Sequence, residues 1–141
     1  MTKKKSSRGL RNCNPGNIRR SATKYLGEVA PSCDIAFKQF ESMAWGYRAM
    51  FVLLDSYARK QKLRTIRTMI ERYAPSFENH TQVYIDTVSR LSGIGCDEVI
   101  DTRSHDHMVP IVAAMSRVEN GVDANMSEVE QGWTLYMQHK A

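Results

Sequence analysis

Five stretches of this chain repeat apolar residues at helical spacing, and each carries its own start or stop signal. That pattern commits the chain to a mainly helical fold. The first stretch spans about Met43 to Lys62 behind Ser42 as N-cap, with Met43, Tyr47, Met50, Phe51, Leu54, Tyr57 and Ala58 on one face. The second, about Ile66 to Tyr73, follows Thr65 and is stopped by Pro75. The third, about His80 to Ser92, lines up Val83, Tyr84, Val88 and Leu91 before Gly93. The fourth, about His107 to Val118, is capped by Asp106 and holds Pro110 in its first turn. Met108, Ile111, Val112, Met115 and Val118 form its apolar face, and Gly121 stops it. The fifth, about Glu128 to His139, opens on a capping box of Ser127 and Glu130. Gly132 inside it is worth about 1 kcal/mol less than Ala in a helix, which predicts close packing at that point. Residues 8–41 are turn-rich, with room for at most a small hairpin near Asp34 to Phe40. The fold class expected is mainly α, in one compact domain over residues 8–141.

Charge divides the chain differently. The formal charge is +5, but residues 1–27 hold eight Lys and Arg and no acid, which leaves −3 on the remainder. Residues 1–7 are expected to form a flexible basic arm. Such an arm suits a polyanion such as nucleic acid, lipid headgroups or an anionic wall polymer, or serves only as a solubilising tail. No apolar run approaches the roughly 20 residues of a membrane span. No apolar stretch follows the N-terminal lysines, so the expectation is synthesis in the cytoplasm without a Sec signal. Cys13, Cys33 and Cys96 make an odd set without CxxC spacing, which points to reduced thiols rather than a disulfide framework or a zinc site. His105, Asp106 and His107 are too poorly spaced for a metal site and read as a cap with exposed imidazoles. Neither metal nor cofactor is expected.

One carboxylate stands out. The apolar fourth helix delivers Glu119 at its last turn, beside Asn120 and Gly121. A carboxyl carried there on a buried stem is desolvated, which favours its protonated form, and the negative end of the helix dipole acts in the same direction. A protonated Glu can donate to a glycosidic oxygen as a general acid. The other reading is a solvated Glu next to a C-cap glycine. The loop around Asn12, Asn14, Pro15, Gly16 and Asn17 is stiff and amide-rich. Its Asn side chains either brace their own turn or face sugar hydroxyls and N-acetyl groups. Asn79 and Tyr84, in the Pro-interrupted segment after Tyr73, read either as a cap and a core aromatic or as parts of the same site.

Residues 8–21 (RGLRNCNPGNIRRS), 37–50 (FKQFESMAWGYRAM), 67–93 (RTMIERYAPSFENHTQVYIDTVSRLSG) and 113–121 (AAMSRVENG) resemble a family of phage, prophage and conjugative-element proteins known as virion structural proteins. More remotely, ENHTQVYIDTV is similar to a stretch of lytic transglycosylases. NPGNI, with Tyr25, Gly27 and FKQF behind it, is similar to a region of bacterial glucosaminidases. In those enzymes the catalytic Glu lies on a helix before these motifs, whereas here only 13 residues precede Asn14. The Met-Ser-x-Val-Glu-Asn-Gly string at residues 115–121 resembles that helix, so the likeness implies a circularly permuted lysozyme-like domain.

The resemblance implies a peptidoglycan-cleaving glycosidase or lytic transglycosylase of a bacterial phage or mobile element. Glu119 is then the general acid, and Asn14, Asn17, Tyr84, Asn79 and Asn120 are the substrate-binding residues. No second carboxylate stands at an obvious partner position, though Asp34, Glu41 and Glu78 are available. One acid suits a transglycosylase better than a hydrolase, which needs two. The implied partners are glycan strands and other virion or conjugation proteins, with nucleic acid at the arm. A non-catalytic structural or glycan-binding protein is the alternative. Deleting residues 1–7 is expected to leave the melting temperature nearly unchanged and to weaken polyanion binding, with a shallower salt slope if the polyanion is DNA.

Overall fold

The computed structural model describes residues 7–75 and 78–139, without the side chains of residues 78 and 79. Within them the chain forms one mainly helical domain with a small antiparallel hairpin. The elements are α1 (Arg8–Arg11), β1 (Glu28–Val29), β2 (Gln39–Phe40), α2 (Met43–Gln61), α3 (Ile66–Tyr73), α4 (Glu78–Ser92), α5 (His105–Asn120) and α6 (Met126–Gln138).

The core is built along α2, whose Tyr47, Met50, Phe51 and Leu54 are buried. Helix α6 lies against it over the longest helix–helix contact in the domain. Phe51 meets Trp133 edge-on at 5.1 Å between ring centroids and stacks on Tyr136 at 5.7 Å. The close packing expected at Gly132 is present. A methyl group there would lie 2.6 Å from Tyr47 Cβ and 3.0 Å from backbone atoms of Ala44 and Arg48. Helices α3, α4 and α5 pack in sequence beside this pair.

The hairpin pairs Glu28 with Phe40 and Val29 with Gln39. Its second strand falls within the expected segment, and its first strand lies earlier than the alternation suggested. A bridge from Arg19 to Phe37 extends the contact toward the N-terminal loop. Inside this region Lys38 is almost fully enclosed, and its ammonium donates to Glu28 and to the carbonyls of Ser21 and Thr23. A buried lysine with those acceptors holds the loop 20–28 to the hairpin.

Several termini differ from expectation for physical reasons. Ser104, not Asp106, caps α5, its hydroxyl accepting from the His107 amide, while Asp106 sits in the first turn and complements the dipole. Pro110 is therefore the sixth residue of α5, beyond the first turn. Asn125, not Ser127, caps α6, and Glu130 pairs with His105 at 2.7 Å instead of closing a capping box. His107 accepts from the Asp101 amide. Helix α5 also runs on to Asn120, so Glu119 is helical, and Gly121 ends it with φ of +74°.

Helix α1 has no counterpart in the expected set, because four residues are too short to show periodicity. Ser7 caps it and also donates to Asn120 Oδ1 at 2.6 Å. Ser7 thus belongs to the folded body, and the rest of the proposed arm lies outside the described residues. A deletion that includes Ser7 removes a cap worth about 1 kcal/mol, whereas one ending at Ser6 does not. No helix among the described residues is long and apolar enough to cross a membrane. Replacing Gly132 with Ala is expected to destabilise the protein by about 1–3 kcal/mol in chemical denaturation, despite the better helix propensity of Ala, because backbone atoms cannot yield to the new methyl.

Candidate active site

Glu119 continues the stripe of Ile111 and Met115, both buried, so the helix carries its carboxyl to the edge of the core. The residue is half-buried. Both carboxyl oxygens are held by residues from other parts of the fold. Asn17 Nδ2 donates to Oε1 at 2.9 Å, and the Tyr84 hydroxyl donates to Oε2 at 3.0 Å. Tyr84 is buried on the inner face of α4 with Ile85 and Val88, where α4 packs against α5. Asn17 reaches the carboxyl from a left-handed backbone conformation, φ +49°, which Asn tolerates better than most residues.

The balance at Glu119 favours the proton. Burial raises its pKa above the ordinary carboxyl value, while the bonds from Asn17 and Tyr84 and the positive charge of Arg19 pull it down only in part. Arg117, the basic neighbour on the same helix, pairs with Asp123 instead. The Tyr84 and Tyr73 phenols are pushed well above their usual values, first by burial and then by the nearby Glu119.

The loop that brings Asn17 to this point is itself buried: Asn12, Asn14, Pro15, Gly16 and Ile18 are all inside. Asn14 has no exposed surface. Its amide donates to the carbonyls of Ile18 and Lys38 and accepts from the Ile18 N–H, each at 2.9 Å. It is a brace, out of reach of any ligand. Asn120 is used in the same way, donating to the carbonyls of Pro15 and Ser116 and accepting from Ser7. Asn79 lies in the first turn of α4, and its side chain is outside the described residues. Of the residues singled out from the sequence, Glu119, Asn17 and Tyr84 meet directly, and Asn14 and Asn120 hold the frame around them.

In the sequence Tyr73 reads only as the end of a helix. Its hydroxyl donates to the Gly16 carbonyl and fastens the loop to α3 next to Asn17. A tyrosine closing a helix just before Pro75, with its own hydroxyl to satisfy, was the available signal.

The side chain of Glu78 lies outside the described residues, and neither of the other two carboxylates named from the sequence joins this group. Asp34 is gripped by Arg8 through two oxygens and by Asn12, Ala36 and Phe37, which keeps it ionised well below the usual carboxylate range. Glu41 is exposed. A hollow of about 530 Å³ lies among Leu91, Pro110, Ala113, Arg117 and Met126, and one of about 160 Å³ among Leu10, Tyr47, Asn120 and Glu128. Glu119 lines neither of these two hollows. The three cysteines are free, and no cluster of three potential metal ligands occurs among the described residues.

The proton balance has a consequence for stability. A carboxyl with a raised folded-state pKa binds its proton more tightly when folded. Its contribution is therefore complete at low pH and is lost as pH rises through the folded value. Glu119→Gln abolishes that titration, and the Tyr84 hydroxyl can turn to accept from the new amide. The variant is expected to gain stability on the wild type between about pH 4 and pH 8, read as melting temperature across a pH series.

No family model matches the sequence. The chain is 32% identical over 137 residues to "Protein P5" of Pseudoalteromonas phage PM2, an alignment that covers 93% of this chain and 84% of that protein. The chain belongs to the family of this phage protein.

Proposed function

We propose that the protein is a lysozyme-like enzyme that cleaves bacterial peptidoglycan, with Glu119 as its general acid. The observation that carries this reading is the environment of Glu119: a half-buried carboxyl whose burial favours the proton, oriented at both oxygens by Asn17 and Tyr84. General acids are tuned in this way, by desolvation against a few fixed donors. The solitary carboxyl favours a lytic transglycosylase. Glu119 gives its proton to the oxygen between N-acetylmuramic acid and N-acetylglucosamine as the C1–O bond breaks. The 6-hydroxyl of the muramic residue then attacks its own C1, and the Glu119 carboxylate takes the hydroxyl proton, which restores the acid. No water is consumed, and the product carries a 1,6-anhydro ring. Asn17 and Tyr84 keep the carboxyl aimed, and Tyr73 keeps Asn17 in place through Gly16.

The membership in a phage family fits a protein carried with the virion that opens the wall locally. In this reading its partners are glycan strands, other virion proteins, and a polyanion at residues 1–6.

A second reading is a non-catalytic virion component that keeps the fold. Two observations favour it: both Glu119 oxygens are already bonded inside the protein, and the two hollows lie elsewhere. The readings separate on purified peptidoglycan. Wild-type protein is expected to release soluble muropeptides, with activity falling as pH rises through the raised pKa of Glu119. Glu119→Gln is expected to lose roughly 10²- to 10⁴-fold with its fold intact. A wild-type protein inert on peptidoglycan of several chemotypes leaves only the second reading.

A further inference from the structure

Two arginines, Arg8 and Arg19, lie over the ring of Phe37, and these and the neighbouring Arg20 are used unequally. Arg8 lies over the ring at 4.7 Å, but its guanidinium is bound to Asp34 through two bonds of 2.6 and 2.7 Å. Arg20 donates to the carbonyls of Asp34 and Ile35. Arg19 lies over the same ring at 5.1 Å and is exposed. Among the described residues its side chain makes neither a hydrogen bond nor an ion pair. Its positive charge pulls the Glu119 pKa down. A guanidinium held over an aromatic face with its N–H groups unbonded can take a carboxylate with two parallel bonds.

The positive charge of Arg19 opposes the proton that burial favours on Glu119. The titratable and charged groups facing Glu119 are Tyr84 from α4, Tyr73 from α3 and Arg19 from the N-terminal loop. Both phenols remain neutral across the ordinary pH range, so Arg19 is the charge that acts on the carboxyl. An anion docked on Arg19 offsets that pull, and binding of the anion and protonation of Glu119 then favour each other.

We propose that Arg19, seated on Phe37 two residues along the loop from Asn17, is the residue that recognises a carboxylate of the glycan substrate. The proposal rests on the glycan-cleaving reading above. The carboxylate has two sources in peptidoglycan: the stem peptide in intact strands, and the lactyl group of the muramic residue once the stem has been removed.

Binding on a Glu119→Gln background, where no turnover intervenes, tests the assignment. The probes are stem-bearing strands, stem-free strands and neutral N-acetylglucosamine oligomers of equal length. Adding Arg19→Gln is expected to weaken carboxylate-bearing strands about tenfold or more and to leave the neutral oligomer unchanged, and Arg19→Lys to recover part of the loss. A loss on stem-bearing strands alone assigns the peptide carboxylates, and a loss on stem-free strands assigns the lactyl group. Affinity of the Arg19→Gln variant equal to that of its Glu119→Gln parent on each of the three probes overturns the role of Arg19 while leaving the glycan site standing. Absence of binding to every probe by the parent protein overturns both.

Discussion

An irregular segment can be buried only if its backbone polar groups find partners, and the loop from Asn12 to Ile18 meets that demand with side chains. Asn14 serves two carbonyls and one amide, Asn120 reaches across from α5 to the Pro15 carbonyl, and Tyr73 takes the Gly16 carbonyl from α3. Three separate elements are thereby pinned to one loop. The position of Asn17, and so the geometry at Glu119, is set by these contacts. The polar network and the candidate site are one construction, in which the interior members carry the load that lets Asn17 point elsewhere.

At Glu119 opposed influences are balanced. Burial and the end of α5 favour the neutral acid, whereas two donors and one exposed arginine favour the anion. Burial prevails, but the donors limit how far the proton affinity rises. A carboxyl that must release and regain a proton within one reaction cycle is better served by such a compromise than by complete desolvation.

The helical frame was legible because it depends on local periodicity. Stripes such as Met50, Phe51 and Leu54 are long enough to be read without knowing what they pack against. Glu119 could be found for the same reason, since it extends the apolar line of Ile111 and Met115. Tyr84 and Asn17 could be named as candidates, but their meeting with Glu119 is tertiary, across sequence separations of 35 and 102 residues. The roles of Asn14 and Asn120 were hidden because burial of the loop is a property of the assembled fold: exposed or buried, an Asn-Pro-Gly-Asn string looks the same. Cap positions shifted where several capping residues compete, as with Ser104 against Asp106 and Asn125 against Ser127. The position of Arg19 relative to Phe37 depends on a single β-bridge, for which the sequence carries no periodic signal.

The bond between Asn17 and Glu119 joins the beginning of the chain to its last third. During synthesis the loop emerges from the ribosome early and waits for its counterpart. A nascent or prematurely terminated chain that ends before α5 contains the loop, the hairpin, α2 and Tyr84, yet lacks both the carboxyl and the Asn120 amide that closes the loop against it. The site therefore comes into being late and all at once, and fragments that end ahead of α5 lack its carboxyl. The order of the segments along the chain thus sets when the Glu119 carboxyl can meet Asn17 and Tyr84.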